Sequence, residues 1–191
     1  MLNYIIMILA FMAPTKKDTI IEKLENKVIE YKLENKKIVL FVDYSISISK
    51  KRFFVYDTKK KKVLYSDYVG HAARSGKYRP VRTSNEPGSL KTSLGVYKVG
   101  RKYKGSFGES FKLKGLSETN SNAYKRYIIV HTIYRPNSFM FFGEDGEARM
   151  IGPEENKRRY LYSHGCFVFY QETYPDIQKY MKKGRVLVAF K

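Results

Sequence analysis

From residue 38 onward the chain is a succession of short runs rich in β-branched and aromatic residues. They read IVLFVDY (38–44), KRFFVYDT (51–58), KVLYSDYVG (62–70), GVYKVG (95–100), SFKLKGL (110–116) and YIIVHTIY (127–134). Such side chains fit a pleated, half-buried surface, so each run predicts a strand. The interruptions have their own chemistry: 57–62 predicts a hairpin turn, and Pro80, Pro87-Gly88, Gly105, Gly108, Asn120 to Asn122 and Pro136 mark further breaks. Strands spaced in this way favour an antiparallel or mixed sandwich over βαβ units. With 191 residues, 43% of them hydrophobic, one core is expected.

Two segments carry a helical period instead. In 19–37, Ile20, Leu24, Lys27 or Val28, Tyr31 and Leu33 recur every three or four residues among charges, with Asp18 or Thr19 placed to cap. An amphipathic helix over 16–37 follows, either packed on its own domain or serving as a stalk. In 173–183, Thr173 is cap-like, Pro175 comes early, and Ile177, Tyr180 and Met181 share a face. Gly184 stops this short helix, and RVLVAF (185–190) returns as a final strand.

The amino terminus, LNYIIMILAFMA (2–13), is too short for the roughly 20 residues that span a bilayer but matches a signal-peptide core. The expected organisation is a signal-like segment (1–15), the amphipathic helix (16–37) and a globular domain (38–191). Export to the periplasm or cell envelope is expected, with membrane contact only through the first segment.

Lys and Arg number 37 against 18 Asp and Glu, a formal charge of +19 that attracts polyanions. The basic residues are scattered or lie in turn-like runs such as Lys59 to Lys62, without a nucleic-acid-binding signature. An anionic wall polymer or membrane surface would be drawn equally well. No specific nucleic acid is therefore implied by charge.

The chemistry concentrates in YLYSHGCFVFY (160–170), which holds the single cysteine. A lone Cys excludes an internal disulfide, and it acts as a nucleophile only as thiolate, with a base at hand and donors facing the developing negative charge. Ser163-His164-Gly165-Cys166 supplies these elements locally: Gly165 permits a tight turn, and Phe167-Val168-Phe169 would anchor the loop in the core. His131 ends an apolar strand and is the candidate base. His164, two residues from Cys166, is expected to shape the pocket or bind substrate, and His71 to line the cleft or stand exposed. Zinc could accept three His and one Cys, yet no paired ligand spacing is present, so no metal or cofactor is expected.

The tetrapeptide Ser163-His164-Gly165-Cys166 resembles the signature of L,D-transpeptidases of the YkuD type. KTSLGVYKVG (91–100) is similar to that family's strand, with Gly95 and Tyr97 on matching positions and Ser93 where Pro is usual. YIIVHTIY resembles the strand that delivers the family's histidine, with Thr132 in place of the common Gly. VGHAARSG (69–76) and SNEPGSLKTSLGVY (84–97) are similar to a divergent murein branch, and the likeness covers about 38–191. The resemblance implies a mainly β sandwich of mixed sheets, with an N-terminal amphipathic helix and a short C-terminal helix. It also implies a cysteine acyltransferase that cross-links or trims peptidoglycan stem peptides through a thioester. Cys166 would be the nucleophile and His131 the base, the latter oriented by the carbonyl of Thr132. Gly165, Ser163, His164, His71, Gly95 and Tyr97 would form the oxyanion and substrate site. Phe167 and Val168 depart from the family's hydrophobic residue followed by Arg or Asn, its usual carboxylate contact. Residues 139–162 would form a lid over the cleft. The competing readings are a non-catalytic wall-binding module of the same fold and a basic nucleic-acid-binding protein.

Overall fold

The computed structural model describes residues 16–132, 139–142, 148–151 and 161–191. The signal-like segment 1–15 and most of the expected lid lie outside the described residues.

Helix α1 (Lys16–Glu30) is followed by strands β1 (Ile38–Asp43), β2 (Phe53–Asp57), β3 (Lys62–Asp67), β4 (His71–Ala72), β5 (Gly95–Gly105), β6 (Gly108–Gly115) and β7 (Ile129–Thr132). After these come β8 (Phe139–Phe142), β9 (Ala148–Ile151), β10 (Tyr162–Ser163), β11 (Phe167–Phe169), helix α2 (Tyr174–Tyr180) and β12 (Val186–Phe190). Eight strands form one mixed sheet in the order β11-β7-β6-β5-β12-β1-β2-β3. The β1–β12 and β11–β7 pairs are parallel, and the rest of this sheet is antiparallel. Strands β10 and β4 pair in parallel, and β8 and β9 pair as an antiparallel ribbon within the expected lid.

A single sheet makes the sandwich by curling on itself. Phe53 of β2 and Phe169 of β11 belong to opposite ends of the strand order, yet their rings meet edge to face at 5.0 Å. The Gly70 N–H, just past β3, donates to the Val168 carbonyl on β11 at 2.7 Å and fastens the seam. Helix α2 bridges the same gap: Tyr180 stacks on Tyr65 of β3, and Tyr174 lies against Phe169.

Strand alternation divides the core in two. Leu40, Val42, Phe53, Val55, Tyr97, Leu113, Val130, Phe167, Phe169 and Leu187 face inward, together with Ile177 and Met181 from the α2 region. Val39, Phe41, Phe54, Tyr56, Val186 and Val188 face outward, where Leu24 and Val28 of α1 cover them. The central strands are therefore buried on both faces, which is why they read as unbroken apolar runs. Helix α1 is part of this domain and not a detached stalk, and it ends at Glu30, before the expected limit of 37. Lys32 takes the left-handed conformation (φ 53°). The Leu33 N–H then donates to Val28 O and the Lys32 N–H to Ile29 O, a Schellman cap whose apolar contact is Leu33 with Val28.

Candidate functional site

Strand β7 brings His131 alongside β11, whose first residue follows Cys166. The parallel register sets Val168 opposite His131 and Phe167 opposite Val130. Val130, Phe167 and Phe169 point into the inner core, so His131 and Val168 point the other way. Carrying the alternation back from Val168 puts Cys166 on the His131 side.

Ser163 folds the loop before the thiol. Its hydroxyl donates to the Cys166 carbonyl at 2.7 Å and accepts the Gly165 N–H at 3.1 Å. The Gly165 N–H is thus occupied within the loop. Gly165 has φ 134°, and a Cβ there would lie 2.7 Å from Ile128 Cδ1 and 3.2 Å from Arg126 Nη2, so the turn admits only glycine.

The half-buried Cys166 sulfur rests on the backbone that leads into β7, where the S–H contacts the Tyr127 carbonyl at 3.6 Å. Burial pushes the thiol up to about 11, against the opposing pull of the Ile129 N–H and the Arg126 charge. His131 is 6% exposed, and its Nδ1 lies 2.8 Å from the Thr132 carbonyl. A carbonyl only accepts, so Nδ1 carries the proton and Nε2 is the basic nitrogen of the neutral ring. Phe107, from the β5–β6 turn, stacks on the imidazole at 4.2 Å. Burial holds His131 below the usual histidine range despite the Thr132 hydrogen bond, which acts the other way. The Thr132 carbonyl thus fixes the orientation of the His131 ring.

The remaining sequence candidates fall elsewhere. His164 is on the exposed side of the turn, where desolvation and the Arg74 charge lower its pKa. His71 is fully buried: Nε2 donates to the Gly76 carbonyl at 2.7 Å, and Nδ1 accepts from Arg52 Nη2 at 2.8 Å. Both ring nitrogens are spent in the interior, so His71 does not line a cleft. Tyr97 is also fully buried, with its hydroxyl bonded to Ser93 and its ring against Phe167 at 5.3 Å, and it supports β11 from beneath. Gly95 (φ 113°) packs against Ser117 and Thr119 and lines a cleft under α1 with Lys27, Tyr31 and Phe190, to which neither Cys166 nor His131 contributes.

Arg126, Phe107 and the 127–129 backbone were not singled out by sequence, because only tertiary approach brings Phe107 to His131 and the others to Cys166. Among the described residues no His, Cys, Asp and Glu side chains gather as a metal site, and no helix is long and apolar enough to cross a membrane.

A curled mixed sheet with a Cys–His strand pair at its edge defines a transpeptidase-like β-sandwich. The chain belongs to the L,D-transpeptidase catalytic domain family, whose model matches residues 13–190. No curated protein matches it by sequence. Among solved structures it is similar to a variant of the helical cell shape determining protein Pgp2 from Campylobacter jejuni, at 12% identity and TM-score 0.52 over 81% of this chain and 47% of that one. It is also similar to an Enterococcus faecium L,D-transpeptidase variant, at 10% identity and TM-score 0.46 over 81% of this chain and 50% of that one. The chain thus spans about half the length of these structures.

Proposed function

We propose that the domain is an exported cysteine acyltransferase acting on peptidoglycan stem peptides, with Cys166 as nucleophile and His131 as base. The observation that carries this reading is the β11–β7 register, which sets Cys166 beside a strand whose histidine has Nδ1 tethered and Nε2 basic. Deprotonation requires the Cys166 sulfur to leave its weak contact with Tyr127 O for the imidazole, whose Nε2 then takes the thiol proton. The sulfur attacks the carbonyl that precedes a terminal D-residue, while the Cys166 N–H holds the oxyanion. The D-amino acid leaves with the proton from His131. The thioester then passes to an amine, giving a cross-link, or to water, giving a trimmed stem.

Incubating the chain with a tetrapeptide stem and recording intact mass tests this. A thioester adduct is expected on Cys166 and none in Cys166→Ala, while His131→Ala should lose about 10²- to 10⁴-fold in acylation rate with its fold retained. Equal turnover by wild type and Cys166→Ala would sink the mechanism. The second reading, a wall-binding module without turnover, is favoured by the elevated thiol pKa alone. It requires peptidoglycan binding that is unchanged in Cys166→Ala and no adduct in either protein.

A further inference from the structure

Arg126 is a half-buried cation that makes no ion pair among the described residues, with the exposed Glu86 acting on it only at longer range. Its Nη1 donates to the Ser84 carbonyl and its Nη2 to the Lys91 carbonyl, both neutral acceptors. Ion pairs among the described residues engage Lys23, Lys27, Lys61, Lys102 and Lys179, and none engages Arg126. A guanidinium carries five N–H donors in a fixed fork, so two carbonyl bonds leave others unspent. Drawing such a charge out of water is costly, and here burial outweighs the partial compensation from Glu86, so the guanidinium pKa is lowered.

The position of this charge is tightly defined. A Cβ on Gly165 would sit 3.2 Å from Nη2 and 3.3 Å from the Lys91 carbonyl that Nη2 grips, so the backbone immediately before the thiol runs across the guanidinium. The sulfur itself leans on Tyr127 and Ile129, the residues that follow Arg126. On the other side of the thiol, Phe167 and Val168 are buried and apolar, so β11 supplies no cation. Among the described residues, Arg126 is the cation whose charge acts on the thiol.

We propose that Arg126 is an anion subsite of the Cys166 centre, taking a free carboxylate of an acidic acyl-donor peptide and holding it beside the sulfur. This deepens the acyltransferase reading and rests on it for the identity of the donor. The planar fork suits a carboxylate better than a neutral amide, and the carbonyls of Ser84 and Lys91 fix its orientation.

The subsite can be measured without turnover. Iodoacetate and iodoacetamide alkylate a thiolate by the same displacement of iodide, so their rate ratio cancels the thiolate fraction and reports the charge beside the sulfur. The 191-residue chain is compared with neutral 2-mercaptoethanol at one pH and salt. The expected ratio favours iodoacetate by about fourfold, the Boltzmann factor for unit charges ~5 Å apart in a water-like medium. Arg126→Gln should lower the ratio towards that of 2-mercaptoethanol, leaving only what the overall charge contributes, and Arg126→Lys should keep more of the preference. Removing one charge from a net +19 hardly alters the long-range field, so a loss in Arg126→Gln is local. A wild-type ratio equal to that of the small thiol overturns the subsite even if Arg126→Gln fails to fold, and so does a ratio unchanged in a folded Arg126→Gln. On peptides, wild type should prefer a tetrapeptide with a free terminal carboxylate over its carboxamide, and Arg126→Gln should not. If neither peptide is turned over, the acyltransferase reading fails while the alkylation ratio still decides the subsite.

Discussion

In the proposed mechanism Cys166 and His131 start as two neutral groups and not as a resting ion pair. Burial lifts the thiol to about 11 and holds the imidazole below its usual value, so at neutral pH both groups are uncharged. The thiolate fraction of such a group rises tenfold for each pH unit below its pKa. Alkylation of Cys166 by iodoacetamide should therefore climb steadily from pH 7 to about 10, with no plateau near neutrality. A plateau reached below pH 7 would mean a preformed thiolate–imidazolium pair and would contradict the environment described. The sequence singled out these two residues through local patterns, Ser-His-Gly-Cys and a histidine at the end of an apolar run. Arg126 and Phe107 were not, since no spacing links a basic residue before β7, or a phenylalanine in a hairpin turn, to a cysteine far along the chain. His71 misled for the converse reason: a histidine among glycines and small residues reads as exposed until Arg52 is found behind it.

The strands were legible wherever β-branched and aromatic residues ran together, and their pairing was not. Nothing in VLVAF foretells that β12 lies parallel to β1 and antiparallel to β5, because pairing is chosen by the whole sheet and not by either partner. Strands β4 and β10, two residues each, carry too little pattern to read. Strand β5 outruns its apolar run because a register shift between Val99 and Lys102 lets the hairpin continue through charged residues to Gly105. The early end of α1 is a matter of one dihedral angle. Lys32 sits in the left-handed region at a cost of about 1–2 kcal/mol for a residue with a Cβ, a cost glycine avoids. Lys32→Gly should thus stabilise the domain by about 0.5–1 kcal/mol after glycine's own entropy loss, read as a higher urea midpoint at unchanged slope. A lower midpoint would show that the Lys32 side chain matters more to the cap than its backbone.

The curl of the sheet brings its two ends together over a polar link that titrates. Arg52, fully buried on the approach to β2, donates to the Val69 carbonyl through Nε and Nη2, and Nη2 also bonds His71, whose other nitrogen grips the Gly76 loop. Tyr44 lies under the guanidinium, stacks near Phe167 and bonds the Gly70 carbonyl, so one connected group spans β1, β2, β4 and the seam at β11. The rings of Tyr44 and Tyr162 flank His71, and no carboxylate is bonded to it to offset a second positive charge. Burial, and then the Arg52 charge, lower the imidazole to about 3 from its ordinary 6.5. The folded state thus refuses a proton that the unfolded chain accepts. The resulting stabilisation is complete above pH 6.5 and is lost as pH falls towards 3, on the order of 5 kcal/mol in all. Between pH 7.5 and 4.5 wild type should lose about 2–3 kcal/mol to this one ring, beyond what its carboxylates and other histidines contribute. His71→Gln keeps an acceptor for Arg52 and a donor for Gly76 but cannot titrate, so its urea midpoint should fall less over the same interval, even if it starts lower. Parallel declines in the two proteins would mean that the Arg52–His71 link relaxes and admits the proton, and that the seam is closed by apolar contact alone.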